Sequence, residues 1–508
     1  MEISRRRLAA SALVAGVAPR LARAQGKPGG IVTVATIGEP PTLDPMISTA
    51  DLVGYITQHF FETLYTFDKN WQVTPLLAAA LPQVSADGTQ YTIPIRRDVT
   101  FHNGAPMTVA DVLASLDRWT KIAVRGRQTA PNIAGIDKVD DATIRIALKQ
   151  PYAPLAALLA FNNAAAAIMP AGVPNPLTSI VGTGPYRVKD HKPDQYIQLV
   201  RNDAYVPLAG EANFYGGARR PLLDEIRFVP VPDPDTRVAG ALSGQFDFVD
   251  NLSVETYDRI AASKVSAPVV LSPYGWPVLA MNTKQGIFTD VALRRAVQVA
   301  LNPDDMMAAA FGKKFYQVAG AMYPEGFVWH TDAGVVRYGE GDPEKASKML
   351  KDAGYKGAKL RLLATQQYEF HFKIAQVAVE YLKQAGFAVD LQVTDWATLT
   401  QRRTDPALWE IYVTSSPFLP EPALNGYMLD DSPGWWATER KRTAVSAFNR
   451  EIDPAKRIQR FAEIQTVLYD EAPIFKVGNF SSLSARSAKL EGLVPAPWPF
   501  FWNVTRAA

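Results

Sequence analysis

The residues that most often perform chemistry in proteins are few in this chain and are poorly spaced for catalysis. Its five histidines are His59, His102, His191, His330 and His371. No two of them lie within five residues of each other, so the sequence contains no local metal-ligand pair. The motifs G-x-S-x-G, S-x-x-K, H-E-x-x-H and G-x-x-x-x-G-K are absent as well. We therefore expect no catalytic residue, no metal and no other cofactor.

Two further patterns indicate turns and helix ends. Gly182-Thr183-Gly184 lacks the third glycine of a dinucleotide fingerprint and precedes a strand, so it predicts a turn. The acidic pairs Asp304-Asp305 and Asp430-Asp431 stand at turns or helix starts, where carboxylates complement the helix dipole. The chain contains no cysteine, which excludes disulfides, zinc–thiolate sites, iron–sulfur clusters and a cysteine nucleophile.

Aromatic side chains are the positive signal. The chain has ten tryptophans and 19 tyrosines, and several tryptophans stand beside prolines or at predicted strand ends, among them Trp276, Trp396 and Trp435. Most large aromatic residues pack in cores. Those at the edges between strands and loops can instead line a cleft that binds a ligand.

Length and composition set the frame for such a cleft. A chain of 508 residues predicts two to four domains. Hydrophobic residues make up 47% and charged residues 20%, which is typical of a soluble globular protein. The net charge of +3 gives no strongly basic face, so we expect no nucleic-acid partner.

The first 24 residues have the pattern of an export signal. A charged start precedes an apolar run at positions 8–18, and small residues follow where a signal peptidase would cleave. The residues that carry this prediction are Arg5, Arg6, Ala22 and Ala24. The arginine pair favours the twin-arginine route, and a general secretory signal stays open. We expect cleavage before Gln25 and, without a cysteine there, release into the periplasm with no lipid anchor.

The predicted elements change in character along the chain. Up to about residue 270, strands at 31–35, 143–148 and 225–231 mix with helices at 52–64 and 109–119 without a repeating unit. From residue 290 onward, helices and strands alternate in the manner of an α/β lobe.

Several segments, in order along the whole mature chain, resemble the family 5 (peptide/nickel-type) solute-binding proteins of ABC importers. The segment at 97–112 is the most specific of them, and any one alone would be weak. The matching segments are Pro41-Thr42-Leu43-Asp44-Pro45, Phe61-Glu62-Thr63-Leu64, residues 97–112, Val181-Gly182-Thr183-Gly184-Pro185-Tyr186, residues 290–297, Asp342-Pro343-Glu344-Lys345-Ala346 with Ala353-Gly354-Tyr355, Asp453-Pro454 through Arg457 and Gln465, and Ala472-Pro473.

The resemblance implies an α/β fold of two lobes on a hinge, with mixed sheets, flanking helices and an extra subdomain on the first lobe. By position we expect lobe I at 28–59, 182–275 and 478–508, the extra subdomain at 60–181 and lobe II at 276–477. The chain would cross between the lobes near Gly275 and Gly478, and the lobes would close around a ligand.

The resemblance also assigns the ligand-facing residues by position. It places them in the segment before the first helix, on the strand that leaves the hinge, at a strand–helix turn, and in the loop after a later strand. The residues predicted to face the ligand are Val53, Gly54, Tyr55, Tyr274, Trp276, Trp396, Ser415, Ser416 and Phe418.

The last of these loops departs from the peptide-binding relatives. Those proteins carry an acidic residue that pairs with the ammonium group of the peptide, and here the matching position is near Phe418. An apolar residue cannot offset the desolvation of a buried ammonium. We therefore expect a neutral or anionic ligand, or a peptide with a blocked amino end, and we expect Glu421 to point away from the cleft.

The resemblance implies a periplasmic receptor that captures a small organic solute, peptide or peptide-like, and delivers it to a membrane permease, with no enzymatic activity. The receptor would act as a monomer. Two alternatives stay open: a receptor that signals to a membrane sensor without transport, and, with less support, a periplasmic hydrolase on the same scaffold.

Overall fold

The structure is a computed structural model that describes residues 29–507. Its helices follow capping and periodicity signals of the sequence. The helices are α1 Asp51–Thr57, α2 Val109–Ile122, α3 Val124–Thr129, α4 Leu155–Leu158, α5 Pro234–Ser243, α6 Tyr257–Ala261, α7 Val291–Ala300, α8 Pro303–Phe311, α9 Pro343–Asp352, α10 Glu369–Ala385, α11 Trp396–Arg402, α12 Glu439–Arg450 and α13 Pro454–Glu471.

The strands include two long ones, β14 and β20, and many short ones. The strands are β1 Ile31–Thr36, β2 Tyr65–Phe67, β3 Val73–Pro75, β4 Gln83–Val84, β5 Gln90–Pro94, β6 Ile133–Asp140, β7 Thr143–Leu148, β8 Tyr186–Lys192, β9 Tyr196–Arg201, β10 Ala212–Asn213, β11 Gly216–Gly217, β12 Glu225–Pro230, β13 Phe248–Leu252, β14 Ser266–Met281, β15 Tyr316–Gln317, β16 Lys359–Thr365, β17 Ala388–Thr394, β18 Ile411–Pro417, β19 Ile474–Lys476, β20 Asn479–Ser487, β21 Leu490–Glu491 and β22 Thr505–Arg506.

Local chemistry explains where the predicted helices begin and end. Thr108 and Asp111 form a reciprocal capping box that starts α2, and Asp342 caps α9 by accepting the Lys345 amide. Gly386 ends α10 in the left-handed conformation, with φ of 102°, that a residue with a side chain rarely adopts.

The helix predicted at 52–64 is shorter than expected, because α1 ends at Thr57. The apolar spacing that suggested a longer helix has another cause. Every residue from Val53 to Phe67 is buried, so the run is apolar on all sides rather than on one helical face. The second half of the run contributes β2 instead.

One mixed sheet of 12 strands connects the two lobes. Its main path runs β17-β16-β18-β14-β20-β13-β1-β12-β9-β8, with β15 on β20 and β19 on β14. The strands β13, β1, β12, β9 and β8 form one end of this path, and β18, β16 and β17 form the other. The long strand β14 serves both: its first part pairs with β20, and its last part, from Gly275 to Met281, pairs with β18.

A four-stranded sheet, β4-β5-β7-β6, forms the extra subdomain together with α2 and α3. Three hydrophobic cores support these layers. The first joins the extra subdomain to the first lobe and to the chain end around Trp498 and Trp502. The second lies along the shared sheet, and the third fills the second lobe around Trp409 and Phe461. The extra subdomain is thus packed firmly on the first lobe, and the second lobe has a core of its own.

None of the helices within residues 29–507 is long and apolar enough to cross a membrane.

Candidate functional site

A cavity of about 340 Å³ lies between the two lobes. Its size falls in the range of roughly 300–1,000 Å³ that small-molecule sites occupy. The first lobe and the extra subdomain supply one wall: Thr49, Asp51, Val124, Arg125, Phe161 and Asn163. The second lobe supplies the other through the end of β14, through β18 and through a loop, with Trp276, Arg403, Tyr412, Ser415, Ser416, Leu424, Tyr427, Asp431, Trp435 and Trp436 among its lining residues.

Aromatic rings dominate the wall from the second lobe. Trp276 meets Tyr427 edge to face at 6.2 Å between ring centroids, and Trp435 stacks on the buried Trp409 at 5.6 Å. The hydroxyl of Tyr427 is buried without a hydrogen-bond partner. This wall offers a large apolar surface together with a hydroxyl that can orient a ligand.

Ser415 is one of the residues that line the cavity, and its hydroxyl hydrogen-bonds a histidine of α10. The His371 Nε2 lies 3.0 Å from Ser415 Oγ, and the imidazole is almost fully buried. Burial lowers the pKa of His371 to about 3, so the ring is neutral near pH 7. The uncharged ring fixes the position of the serine hydroxyl without adding charge to the site.

Arg403 carries a cationic group into the cavity without an anionic partner. Its guanidinium lies 5.8 Å from the ring centroids of both Trp396 and Tyr412. Its Nε is buried with no hydrogen-bond partner, and Arg403 forms no ion pair within residues 29–507. Arg403 as a whole is only partly buried, and its guanidinium, which hydrogen-bonds the side chain of Tyr412, can still bind an anion from outside the protein.

Arg125 on α3 also lines the cavity, and its Nε and Nη1 donate to backbone carbonyls. Its Nε donates to the Asn163 carbonyl at 3.0 Å, and its Nη1 crosses to the second lobe and donates to the Leu424 carbonyl at 2.8 Å. The guanidinium also covers the Phe161 ring at 4.8 Å. Desolvation lowers the pKa of Arg125 to about 10, which leaves it charged near neutral pH.

Asp51, the first residue of α1, is exposed to the cavity and enclosed by protein on its other sides. Desolvation is the largest influence on its carboxyl group and raises its pKa. Hydrogen bonds from Trp498 and Asn163 and the charge of Arg125 act in the opposite direction. The Trp498 Nε1 donates to Asp51 Oδ1 at 2.9 Å. Both hydrogen-bond partners are neutral groups.

The structure brings three of the predicted ligand-facing residues to this cavity: Trp276, Ser415 and Ser416. All three lie on adjacent strands, since Trp276 pairs with Ser416 across β14 and β18. The strand that leaves the hinge and the strand before the loop therefore form one continuous surface.

Three predicted residues of α1 do not line the cavity. Val53 and Tyr55 are buried, and the Tyr55 ring meets Phe228 edge to face at 5.5 Å in the core of the first lobe. Gly54 packs so closely on the backbone of Asn162 that a Cβ there would lie 2.8 Å from its carbonyl oxygen. In this part of the chain the cavity is lined instead by Thr49, which precedes α1, and by Asp51, its first residue.

Tyr274, Trp396 and Phe418 also lie outside the cavity lining. The Tyr274 ring packs on Phe480, with centroids 5.3 Å apart. Trp396 packs edge to face on Tyr368 at 5.1 Å, and it reaches the cavity only through Arg403.

Phe418 lies in the core of the second lobe, beside Tyr323 and Phe327, and is only 3% exposed. Its placement in the ligand site is not supported, because the chain turns its side chain into the lobe after β18. Glu421 points away from the cavity as expected, and it forms two bonds to Arg457 at 2.8 and 3.0 Å.

The two glycines predicted at the hinge lie within β14 and just before β20. Gly275 pairs with Pro417 on one side and with Phe480 on the other. A Cβ at Gly275 would lie 2.1 Å from the Ser416 carbonyl oxygen. Gly478 lies between β19 and β20, close to the Gln317 carbonyl and Met307. Gly275 therefore has no room for a side chain, whereas at Gly478 a Cβ would make only a tight contact of 3.0 Å.

The export-signal residues Arg5, Arg6, Ala22 and Ala24 lie outside the described residues.

Sequence reasoning missed the charged groups of the cavity: Asp51, Arg125 and Arg403. The sequence presents Asp51 as an ordinary acidic helix start, Arg125 as one of a basic pair with Arg127, and Arg403 as the second of two arginines after a helix. No local pattern distinguishes a charge that faces another lobe from one that faces solvent. The one available indication was that Arg403 follows Trp396, a predicted ligand-facing residue, by seven residues.

The lobes, the sheet that joins them and the cavity between them define a two-lobed binding protein. A family model for bacterial extracellular solute-binding proteins, family 5 Middle, matches residues 72–434. This chain therefore belongs to family 5 of the bacterial extracellular solute-binding proteins.

Sequence relatives agree with this assignment. The chain is 29% identical over 542 residues to a probable peptide ABC transporter periplasmic-binding protein, y4tO, of Sinorhizobium fredii, with 100% of both chains covered. It is 26% identical over 502 residues to the glutathione-binding protein GsiB of Salmonella typhimurium, with 91% of each covered.

Solved structures share the fold. The binding protein AgaA from A. tumefaciens R10, in complex with agropinic acid, superposes with a TM-score of 0.82 at 23% identity, covering 94% of this chain and 99% of that one. DppA from Helicobacter pylori, in complex with the peptide STSA, gives a TM-score of 0.83 at 20% identity, covering 95% and 99%. The chain is thus the solute-binding component of an ABC transporter, a receptor and not an enzyme.

Proposed function

We propose that this receptor binds a small peptide-like solute that bears a carboxylate, and that Arg403 receives the carboxylate. The observation that carries the proposal is the guanidinium of Arg403, which lines the cavity without an ionic partner in the described part of the chain. The planar guanidinium matches a carboxylate, with which it can form two parallel bonds. The apolar part of the solute would lie on Trp276 and Tyr427, beside Ser416, which pairs with Trp276 across the two strands.

The proposal includes a hinged closure. Lobe I would comprise 28–59, 182–275 and 478–508, with the extra subdomain at 60–181 and lobe II at 276–477, hinged near Gly275 and Gly478. The bond from Arg125 to the Leu424 carbonyl and the bond from the Ala153 amide to the Asn449 carbonyl, 2.9 Å long, support this view because both cross the cleft. Opening would break these two bonds and admit the solute.

The proposal also covers the route of the protein. The leader at 1–24 would direct export through Arg5 and Arg6, with cleavage after Ala24, and the mature receptor would act free in the periplasm as a monomer. There it would deliver its solute to the membrane permease of the transporter. Replacement of Arg5 and Arg6 by lysine should leave the precursor in the cytoplasm if the twin-arginine route is used.

Two arginines that are adjacent in the chain provide the test. Arg403→Gln removes the unpaired cation, whereas Arg402→Gln removes a neighbour whose Nη1 bonds Gln392 instead of lining the cavity. We would measure calorimetric affinity for the dipeptide Ala-Phe and for its carboxyl-terminal amide. A bond between charged groups contributes about 1.5–3 kcal/mol, which is roughly a tenfold to 150-fold change in affinity.

We expect Arg403→Gln to weaken Ala-Phe binding at least tenfold and Arg402→Gln to leave it unchanged. The wild-type protein should bind the amide as weakly as Arg403→Gln binds the dipeptide. Mass spectrometry of the solute released from the purified protein should identify a carboxylate. Equal affinity for dipeptide and amide would contradict the proposal.

A further inference from the structure

The cavity contains a carboxylate that the sequence comparison with peptide receptors did not anticipate. Those relatives use an acid from the second lobe to hold an ammonium group, and that position, near Phe418, is apolar and buried here. Asp51 lies on the opposite wall, in the first lobe, and its side chain is exposed to the cavity. The site therefore lacks a carboxylate near Phe418, where peptide-binding relatives have one, but it has a different carboxylate at Asp51.

The surroundings of Asp51 leave its charge without a direct cationic partner. Its hydrogen bonds come from the Trp498 indole and the Asn163 amide, which are neutral. Arg125 is the nearest influence of opposite sign, but its Nε and Nη1 are engaged by the carbonyls of Asn163 and Leu424. Within residues 29–507, Asp51 takes part in no ion pair.

The cavity has one other carboxylate, Asp431, and its setting differs. Asp431 is exposed and adjoins Asp430, which forms ion pairs with Lys441 and Arg442 at 2.6 Å each. The charge of Asp431 acts on Lys441 as well. Asp431 thus lies near two cations, whereas the hydrogen bonds of Asp51 come from neutral groups and Arg125 acts on it only through its charge.

We infer that Asp51 is the residue that binds the ammonium group of the solute. This inference rests on the proposed function and deepens it. With Asp51 in the first lobe and Arg403 in the second, the site fits a zwitterion whose two charged ends contact different lobes. Such a solute would join the lobes through its own charges, and the expectation of a neutral or anionic ligand would be revised.

Asp51 has an alternative role that the test must separate, since a carboxylate in the first turn of a helix stabilises that helix. The experiment compares Ala-Phe, its N-acetyl derivative and its carboxyl-terminal amide by calorimetry. The proteins are the wild type, Asp51→Asn, Asp51→Ser and the matched control Asp431→Asn. Asparagine and serine both keep an acceptor for the Trp498 indole, and melting curves confirm that each variant is folded.

We expect the wild type to bind Ala-Phe at least ten times more tightly than its N-acetyl derivative. Both Asp51 variants should bind these two probes within twofold of each other, and Asp431→Asn should keep the wild-type preference. Retention of the preference in the Asp51 variants, or its loss in Asp431→Asn, would overturn the role of Asp51.

The amide separates this inference from the proposed function. If the wild type discriminates against the amide but not against the N-acetyl derivative, Arg403 keeps its role and Asp51 loses the one inferred here. If it discriminates only against the N-acetyl derivative, Asp51 keeps its role and the carboxylate proposal fails. Absence of measurable binding of all three probes to the wild type would overturn both.

Discussion

Two arginines in the protein interior form ion pairs with buried carboxylates, whereas two charged groups in the cavity form no ion pair within residues 29–507. In the cores, Arg118 bonds Asp44 at 2.5 Å and Arg457 bonds Glu421 at 2.8 Å, with all four side chains no more than about a tenth exposed. In the cavity, Arg403 and Asp51 have no such partners among residues 29–507. A charge that is removed from water needs a partner, and in the cavity that partner can come from another molecule.

The difference shows how unpaired charge can mark a binding site. The core pairs keep segments together: Arg457 on α13 fixes the loop after β18 by holding Glu421, and that loop carries part of the cavity wall. The core pairs therefore support the site indirectly. Arg403 and Asp51 form no ion pair within residues 29–507, so their charges remain available to a solute.

The largest expected effect comes from breaking a core pair. Arg457→Gln should lower the free energy of unfolding by about 3–5 kcal/mol, because Glu421 would remain buried without a cation. Denaturant titration measures this loss. The double variant Arg457→Gln/Glu421→Gln should recover part of it, since no uncompensated charge remains. A loss below about 1 kcal/mol in the single variant would show that the pair is not the support described above.

A second effect concerns the strands that carry the cavity wall. Gly275→Ala should cost about 1–3 kcal/mol, because its Cβ would lie 2.1 Å from the Ser416 carbonyl oxygen and the strands would have to separate. The change should also weaken solute binding, as Ser416 and Trp276 would shift. Gly38→Ala is the control, because nothing lies within 4 Å of a Cβ there. Equal melting temperatures for the two variants would contradict the close packing.

The third effect is a dependence of the free energy of unfolding on pH that arises from His371, the buried neutral histidine that bonds Ser415. Burial lowers the pKa of His371 from 6.5 to about 3, so the unfolded chain binds a proton more readily than the folded one. The contribution of His371 is fully present above pH 6.5 and is lost as the pH falls toward 3, by up to about 1.4 kcal/mol per pH unit.

His371→Gln should therefore reduce the slope of stability against pH in that window by up to the same amount. His59 and His102, with their pKa values lowered to about 3 and about 4, should keep the remaining slope. Urea titrations from pH 7 to pH 4 would measure both. An unchanged slope in the variant would mean that His371 is accessible to water in the folded protein.

The smallest expected effect on stability is that of Arg403→Gln, and it tests most directly whether cavity charges differ from core charges. Arg403→Gln should change the free energy of unfolding by no more than about 0.5 kcal/mol, since no internal ion pair is lost. The same substitution in the core, Arg457→Gln, should cost several times more. Comparable losses from the two variants would remove the distinction between core and cavity charges.

Much of the fold could be read from the sequence because the signals are local. The capping box of Thr108 and Asp111 starts α2 as predicted, and Gly386 ends the long helix α10. The apolar run at 52–64 does not form the single long helix that its spacing predicts. Residues 53–67 are all buried, so apolar residues occur on every side and their spacing does not identify one helical face.

Some positions in the site could be predicted from the local sequence, and others depend on contacts with distant parts of the chain. Trp276 and Ser416 pair across β14 and β18 and line the cavity from one face of the sheet, because alternate side chains of neighbouring strands share a face. The side chain of Ser415, the next residue along β18, instead bonds His371. Phe418 lies one residue beyond the end of β18, and nothing in its neighbours along the chain shows that it turns into the core.

The sequence by itself determined the family, the two-lobed fold and the absence of recognisable catalytic motifs, since these depend on ordered motifs and residue types. Only the tertiary structure decided which charges meet in the cavity. Asp51 and Arg403 are 352 residues apart, and each looks ordinary in its own segment. Whether such a group is paired depends on the atoms that the other lobe brings near it, and that information belongs to the packing of distant segments.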